Sequence, residues 1–404
     1  MKNDVSIVLI GIGGYGDNYL KLLLDSEDQT IANIVGVVDI KPEKSQNYNR
    51  IVERNIPIYY SIEEFYAQSS ADLAIISTPI HFHTYQTCYA LSHGSHVLCE
   101  KPMCASPEEA KQIIEARDRA GKFVAIGFNW SFSPSVQQFK KDIMNGVYGK
   151  PKRLKTLTLW PRNKAYYERS NWAGKIKDEK GNLILDSVAS NATAHFLHHM
   201  FYILGLNKDQ STAIKQVTAE LYRANPIESF DTCAIEVKTV EDIDIYFYAS
   251  HAVTENIGPN FIYEFENAII SYSHNDTHRK VTATFNDGTK KVYTDPEEER
   301  PAKLWKCIQA VASGDYDIDC GPEAAYQHVL CIDSIHKSVP DIPTFSNELT
   351  HVDEETQLTW VDGLDRILTN CYDNWSLPSD QNISWSKRGK TIEVNNPIDV
   401  TNNG

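Results

Sequence analysis

Two short motifs hold the residue types that redox chemistry needs. Near the N-terminus an apolar run, Ile7-Val8-Leu9-Ile10, leads into Gly11-Ile12-Gly13-Gly14-Tyr15-Gly16, and a later apolar run, Val97-Leu98-Cys99, leads into Glu100-Lys101-Pro102. The glycines fit G-x-G-x-x-G between a predicted strand and a predicted helix. The first permits a tight turn, the second lets backbone approach a pyrophosphate, and the third lets helix and strand pack closely. The pyrophosphate would lie on the helix N-terminus. The next predicted strand ends in Val37-Val38-Asp39-Ile40, with the carboxylate about twenty residues past the last glycine, where it can accept hydrogen bonds from adenosine ribose hydroxyls. A carboxylate there repels a 2′-phosphate, so NAD is expected rather than NADP.

Lys101 follows a predicted strand, and a lysine at a strand's C-terminal end faces the cofactor crevice of such a sheet. It can move a proton to or from a hydroxyl while hydride moves to or from a nicotinamide. Its bland alternative is a solvated surface lysine. A second set lies on a predicted helix with Asn191, His195, His198, His199 and Tyr202. Asn191 and His195 are four apart and share a face, as do His195 with His199 and His198 with Tyr202. His195 suits acid/base work near neutral pH, with Asn191 orienting it or the substrate. The alternatives are satisfied core histidines or a metal site. No suitably spaced acidic ligand and no His-Glu-x-x-His accompany them, so no metal is expected.

These motifs need a frame. The first third alternates strand-like runs (6–10, 31–38, 73–77, 97–99, 123–127) with helical patterns (15–24, 85–92, 107–120). That alternation implies a doubly wound parallel sheet, an α/β Rossmann domain over residues 1–128. After Asn129 the pattern changes to a helix near 135–145 and strand-like runs at 154–160, 233–237, 243–249, 262–265, 268–272 and 281–285, with Asp287-Gly288 as a hairpin signal. A helix over 191–204 is stopped by Gly205, and a late one covers 322–338. This predicts an α+β domain over 129–390, built on a large, mainly antiparallel open sheet. Residues 391–404 are read as a polar tail.

The 404 residues carry 42% hydrophobic and 23% charged residues, enough for a sizeable core, and a formal net charge of -15. Such an acidic chain is a poor partner for nucleic acid or an anionic membrane. No apolar stretch reaches the length of a membrane span. The start of the chain leaves no room for a signal peptide before Val5. The eight cysteines form no Cys-x-x-Cys pair, which reads as reduced core thiols in a cytoplasmic protein.

Taken together, Gly11–Gly16, Asp39, Thr78-Pro79 with His83, Glu100-Lys101-Pro102, Gly127-Phe128-Asn129 and the His195 helix resemble the glucose–fructose oxidoreductase / inositol dehydrogenase (Gfo/Idh/MocA) family across most of the chain. The resemblance implies a Rossmann domain followed by an α+β domain whose open sheet makes a homodimer or homotetramer. It implies oxidation or reduction of a hydroxyl-bearing carbon on a sugar, polyol or cyclitol. By it, Lys101 is the catalytic lysine and His195 contacts the reacting hydroxyl. Thr78, Pro79, His83, Glu100 and Asn129 then join Gly11, Ile12, Gly13, Gly14, Tyr15, Gly16, Asp39 and Ile40 around the cofactor. The chain departs from the pattern on the helix, where Asn191 and His198 stand in the two positions the family usually fills with aspartate. Asp186 lies five residues before Asn191, out of register for that slot. An amide cannot pass on a proton, which leaves His195 with Lys101 as the relay.

Between the second domain's first strand and the His195 helix lie Trp160, Arg162, Tyr166 and Trp172. Aromatic faces can stack on sugar rings, and Arg162 could instead hold a carboxylate bidentately, as in a uronate. With His198 these are the candidate substrate contacts; the alternative is core and domain interface. Two other functions stay open by the resemblance: an internal-redox enzyme that holds NAD and cleaves a glycosidic bond or epimerises a centre, and a non-catalytic NAD-sensing regulator.

Overall fold

A computed structural model describes residues 4–26 and 31–395. The chain divides into two compact units, Met1–Ser133 with Glu299–Tyr326, and Pro134–Glu298 with Gln327–Gly404. The boundary expected after 128 thus falls after Ser133. Residues 299–326, expected in the second domain, belong to the first unit. They bring it a helix, Ala302–Ser313, that the sequence reading did not foresee.

The first unit is built on β1 (Val5–Ile10), β2 (Ala32–Val38), β3 (Ile58–Tyr59), β4 (Leu73–Ile76), β5 (His96–Cys99) and β6 (Val124–Ile126), in the order β3-β2-β1-β4-β5-β6. Every pairing is parallel. β4, β5 and β6 are buried throughout, as expected for strands covered on both faces. Local chemistry sets the helices between them. Ser106 caps Pro107–Ala120 by accepting from Glu109 N–H, proline and two glutamates fill the first turn, and Gly121 ends it at φ 61°. The strand order reverses between β1 and β4, which is where such sheets bind ligands.

The second unit carries β7 (Pro151–Leu159), β8 (Ile214–Tyr222), β9 (Thr232–Thr239), β10 (Asp244–Ser250), β11 (Ile257–Phe265), β12 (Ala268–Ser273), β13 (Val281–Phe285) and β14 (Lys290–Tyr293). A small hairpin follows from β15 (Thr350–Val352) and β16 (Thr359–Val361), and β17 (Ile392–Glu393) comes last. The large sheet has the order β14-β13-β12-β11-β7-β10-β9-β8-β17. It is antiparallel except for β7 with β10. The expected α/β class and mainly antiparallel second sheet are therefore what the chain forms. Its 391–404 tail is not all tail: β17 pairs with β8, while residues 396–404 lie outside the described residues.

One core of this unit joins Leu157, Leu159 and Tyr248 of the sheet to Leu364, Leu368 and Cys371 of the helix Leu364–Asn374. All eight cysteines are free and all but Cys88 are buried. No described helix is long and apolar enough to cross a membrane.

Candidate active site

The first unit supplies the glycine loop. Gly11 has φ +83°, and a Cβ there would lie 2.9 Å from Ser77 backbone and Thr78. A Cβ on Gly16 would run into the carbonyl oxygen of Gly11, while Gly14 has open space beside it. Strand and helix therefore meet through bare backbone, leaving a cradle at the N-terminus of the helix Gly16–Ser26. Asp39 sits at the end of β2. Its Oδ2 accepts from Ile12 N–H (2.8 Å) and Gly13 N–H (3.1 Å), and its Oδ1 accepts from Lys41 N–H (2.8 Å). The carboxylate is thus fixed at the rim of the loop, while Ile40 beside it is 77% exposed. This arrangement fits a dinucleotide: amides for a pyrophosphate and a carboxylate for ribose hydroxyls.

The loops after β4 and β5 are tied together. His83 is buried, and its two ring nitrogens face Thr78 O (2.8 Å) and Pro102 O (2.9 Å). Burial lowers its pKa, while both carbonyls pull the other way. Thr78 Oγ1 donates to Gln86 Oε1 at 2.5 Å. Tyr15 reaches across the glycine loop, its hydroxyl 3.5 Å from Asn129 Oδ1.

Glu100 is the best-held side chain of the set. It accepts from Tyr19 Oη (2.6 Å), from Lys101 N–H (3.2 Å) and from the ammonium of Lys303. Lys303, 1% exposed, also donates to Gly127 O (3.0 Å) and lies over the rings of Tyr15 and Tyr19. Burial, then the charge of Glu100, raises the Tyr19 pKa well above its usual value. Gly127 has no room for a side chain, since a Cβ would come within 2.7 Å of Glu100 Oε1. Lys303 was not foreseen. The one available signal was a lysine on the face that Leu304, Cys307, Ile308 and Val311 bury.

The second unit holds the His195 helix, which begins later than expected. Its α-helical part is Ala194–Ile203, preceded by a π turn, Val188–Ala192, capped reciprocally by Ser187 and Ser190. In the π turn Thr193 N–H bonds Val188 O, five residues back, at 3.0 Å. That register brings Asp186 to Asn191: Asn191 Nδ2 donates to Asp186 Oδ1 at 2.8 Å. The carboxylate missing from position 191 therefore stands one side chain behind it. Asp186 also accepts from Gly174 N–H (2.6 Å) and lies 3.9 Å from Arg169. The bond to Asp186 fixes which end of the Asn191 amide is its carbonyl.

His195 is partly exposed, whereas His198 and His199 are each 1% exposed. His198 stacks on Tyr202 with centroids 5.5 Å apart, an environment that matches the core-histidine alternative. Among the described residues no cluster of His, Cys, Asp or Glu is arranged to hold a metal. Lys101 belongs to the first unit and His195 to the second. Trp160, Arg162, Tyr166 and Trp172 do gather. Arg162 lies 5.7 Å from the Trp160 ring centroid and 5.2 Å from that of Tyr166, and Arg169 lies between Tyr166 (3.8 Å) and Trp172 (5.0 Å).

The buried histidines predict an acid-sensitive second unit. Burial lowers the pKa of His199 and of His251 to about 3, against 6.5 for the free group. Between those values the unfolded chain binds protons that the fold refuses, so stability is full above pH 6.5 and falls as pH drops toward 3. The urea midpoint should already decline between pH 6.5 and about 5, above the ordinary carboxylate range. A midpoint constant over that window would contradict the assignment.

Comparisons with known proteins agree with this geometry. Residues 5–128 match the Gfo/Idh/MocA model, described as an oxidoreductase family with an NAD-binding Rossmann fold. A 78-residue stretch is 36% identical to D-glucoside 3-dehydrogenase of Escherichia coli (strain K12), covering 19% of this chain and 22% of that one. A 196-residue stretch is 27% identical to 2,7-anhydro-N-acetylneuraminate hydratase of Mediterraneibacter gnavus, covering 48% of this chain and 46% of the other. The chain thus spans less than half the length of each of these curated relatives. The WlbA dehydrogenase of Bordetella pertussis, solved with NADH and UDP-GlcNAcA, has the same fold over 84% of this chain and 97% of that one, with a TM-score of 0.68 at 20% identity.

Proposed function

We propose, from the match of residues 5–128 to the Gfo/Idh/MocA oxidoreductase family, that this is an NAD-dependent enzyme of that family, moving hydride between nicotinamide and a hydroxyl-bearing carbon of a sugar, polyol or cyclitol. The observation that carries the reading is the placement of Glu100-Lys101-Pro102 directly after β5, in the sheet whose β1 delivers the glycine loop. Bound NAD⁺ supplies a hydride acceptor. The protein's own residues do the rest. Gly11–Gly16 and Asp39 hold the dinucleotide, and His83 ties together the two loops that present Thr78, Pro79 and Lys101. Lys101 takes the hydroxyl proton as hydride leaves the same carbon and returns it in the reverse direction. His195, partly exposed on its helix, hydrogen-bonds the reacting hydroxyl, and Asp186 orients Asn191 on the turn before it. The reading includes a reducing cytoplasmic setting, supported by the free buried thiols, and a homodimer or homotetramer through the large sheet, whose Ile269 and Val292 stay exposed.

The test is NADH formation with inositols, aldoses, uronates and amino sugars, each with NAD⁺ and with NADP⁺. Turnover on one class with NAD⁺ supports the dehydrogenase. A hydratase performs no net oxidation, and the likeness to one favours a second reading, in which the substrate is oxidised and reduced again within one turnover. That reading predicts NAD retained through purification and product without net NADH. Retained NAD with neither product nor NADH across the panel would leave the regulator reading.

Asp39 gives a cofactor prediction. Its loss removes a charged acceptor, so Asp39→Ala should weaken NADH binding about tenfold or more and narrow the preference over NADPH. Fluorescence titration with both cofactors checks this. An unchanged NADH-to-NADPH ratio would remove Asp39 from the ribose.

A further inference from the structure

The strongest unused chemistry lies in the second unit, where the parallel pair β7 and β10 ends. Pairing continues past both strands: Trp160 N–H bonds Ser250 O (2.9 Å), and Arg162 N–H bonds His251 O (3.2 Å). This sets Arg162 and His251 side by side at the C-terminal ends of parallel strands, the end at which parallel sheets place ligands. The Tyr166 ring closes the group, 5.4 Å from the His251 ring and 5.2 Å from the Arg162 guanidinium.

The two arginines here differ. Arg169 is engaged, donating to Tyr166 O and lying beside Asp186. Arg162 donates to Pro161 O (3.2 Å) and lies within hydrogen-bonding reach of the Tyr166 hydroxyl, and its buried Nε has no hydrogen-bond partner among the described residues. The nearby acids are occupied: Asp186 by Gly174, Asn191 and Arg169, and Asp231 by Ala224, Asn225 and Thr232. A guanidinium N–H left buried without an acceptor is costly, and its fork matches a carboxylate.

His251 adds the complementary group. It is 1% exposed, and its Nδ1 lies 2.8 Å from Trp160 O, which can only accept. Nδ1 therefore carries the proton, and Nε2 is an acceptor with no partner. Burial keeps the ring neutral. The buried hydroxyls of Tyr167 and Ser170, on the same segment as Tyr166, are also without partners. One cationic donor among neutral groups that seek hydroxyls, on an aromatic tray, is the complement of a sugar acid.

We propose that Arg162, Tyr166 and His251 form a carboxylate subsite, so that the ligand of the second unit is a sugar acid with its carboxylate on Arg162 and a ring hydroxyl donating to His251 Nε2. This rests on the oxidoreductase reading for its place as a substrate site. Calorimetry on the full chain with saturating NADH tests it, pairing D-glucuronate with D-glucose and D-galacturonate with D-galactose, and adding glucose-6-phosphate. At least one acid should bind about tenfold tighter than its neutral partner. Arg162→Met should abolish that advantage without lowering the thermal midpoint, and Arg162→Lys should keep part of it. His251→Phe should weaken acid and neutral sugar alike, leaving their ratio unchanged. No acid advantage in either pair, an advantage that survives Arg162→Met, or tighter binding of the phosphate would each overturn the subsite. Hydride transfer from neutral sugars without acid preference would overturn the subsite and leave the oxidoreductase reading standing. Acid preference lost in Arg162→Met, with no hydride transfer from any acid, would do the reverse.

Discussion

Lys101→Met is expected to lower kcat by about a thousandfold, within the range a positioned acid/base contributes, while leaving NADH affinity within about twofold of the parent. The split follows from where the residue stands. Its backbone, not its side chain, makes the 3.2 Å bond to Glu100 in the loop after β5, and the glycine loop and Asp39, the proposed cofactor cradle, follow β1 and β2. Methionine keeps an unbranched apolar stem, one atom shorter, and removes the ammonium. The hydroxyl proton must then pass to water, so the pH dependence of kcat should lose the limb set by that base. His195→Ala should cost less, because a hydrogen bond to the reacting hydroxyl remains available from Lys101. Equal losses in kcat and NADH affinity for Lys101→Met would recast the residue as structural.

Lys303→Met should be the most damaging single change to the first unit. Lys303 and Glu100 form a buried pair, 1% and 5% exposed. Removing the cation leaves a buried carboxylate with Tyr19 Oη and Lys101 N–H as its remaining donors, at a cost of about 3 kcal/mol or more. That is a large share of a typical domain's stability. Hydrogen exchange read on β1, β4 and β5 isolates the first unit, and protection there should fall by roughly a hundredfold. Adding Glu100→Gln should recover much of the loss, since no uncompensated charge is then buried. A loss under about 1 kcal/mol would mean that water or a protonated carboxyl relieves the site.

What the sequence disclosed of this protein was what is encoded locally. The glycine loop, Asp39 and Lys101 each sit where a strand ends, and turn chemistry writes such positions into a few adjacent residues. The alternation of the first third and the change after Asn129 gave both sheets their class. The rest depends on partners distant in the chain or on backbone registers that leave no period. Lys303 is 203 positions from Glu100, and nothing near either residue names the other. β8 escaped notice because its pairing with β9 shifts register between Ile214 and Gln216, so regular alternation begins only at Val217. Asp186 looked out of register with Asn191 on α-helical spacing and is in register on a π turn. His198 was read as a ligand contact from its place on the helix, yet the next turn of that helix buries it against Tyr202. His251 carried no motif at all; its interest arises from lying one residue beyond β10, beside Arg162.

The central claim is that hydride moves directly between a carbinol carbon and nicotinamide on this protein. A substrate found in the panel, synthesised with deuterium on each hydroxyl-bearing carbon in turn, should deliver that label to the nicotinamide ring from one carbon only, and Lys101→Met should slow the delivery in a single turnover. Label appearing in water instead, or no label leaving any carbon while product forms, would contradict it.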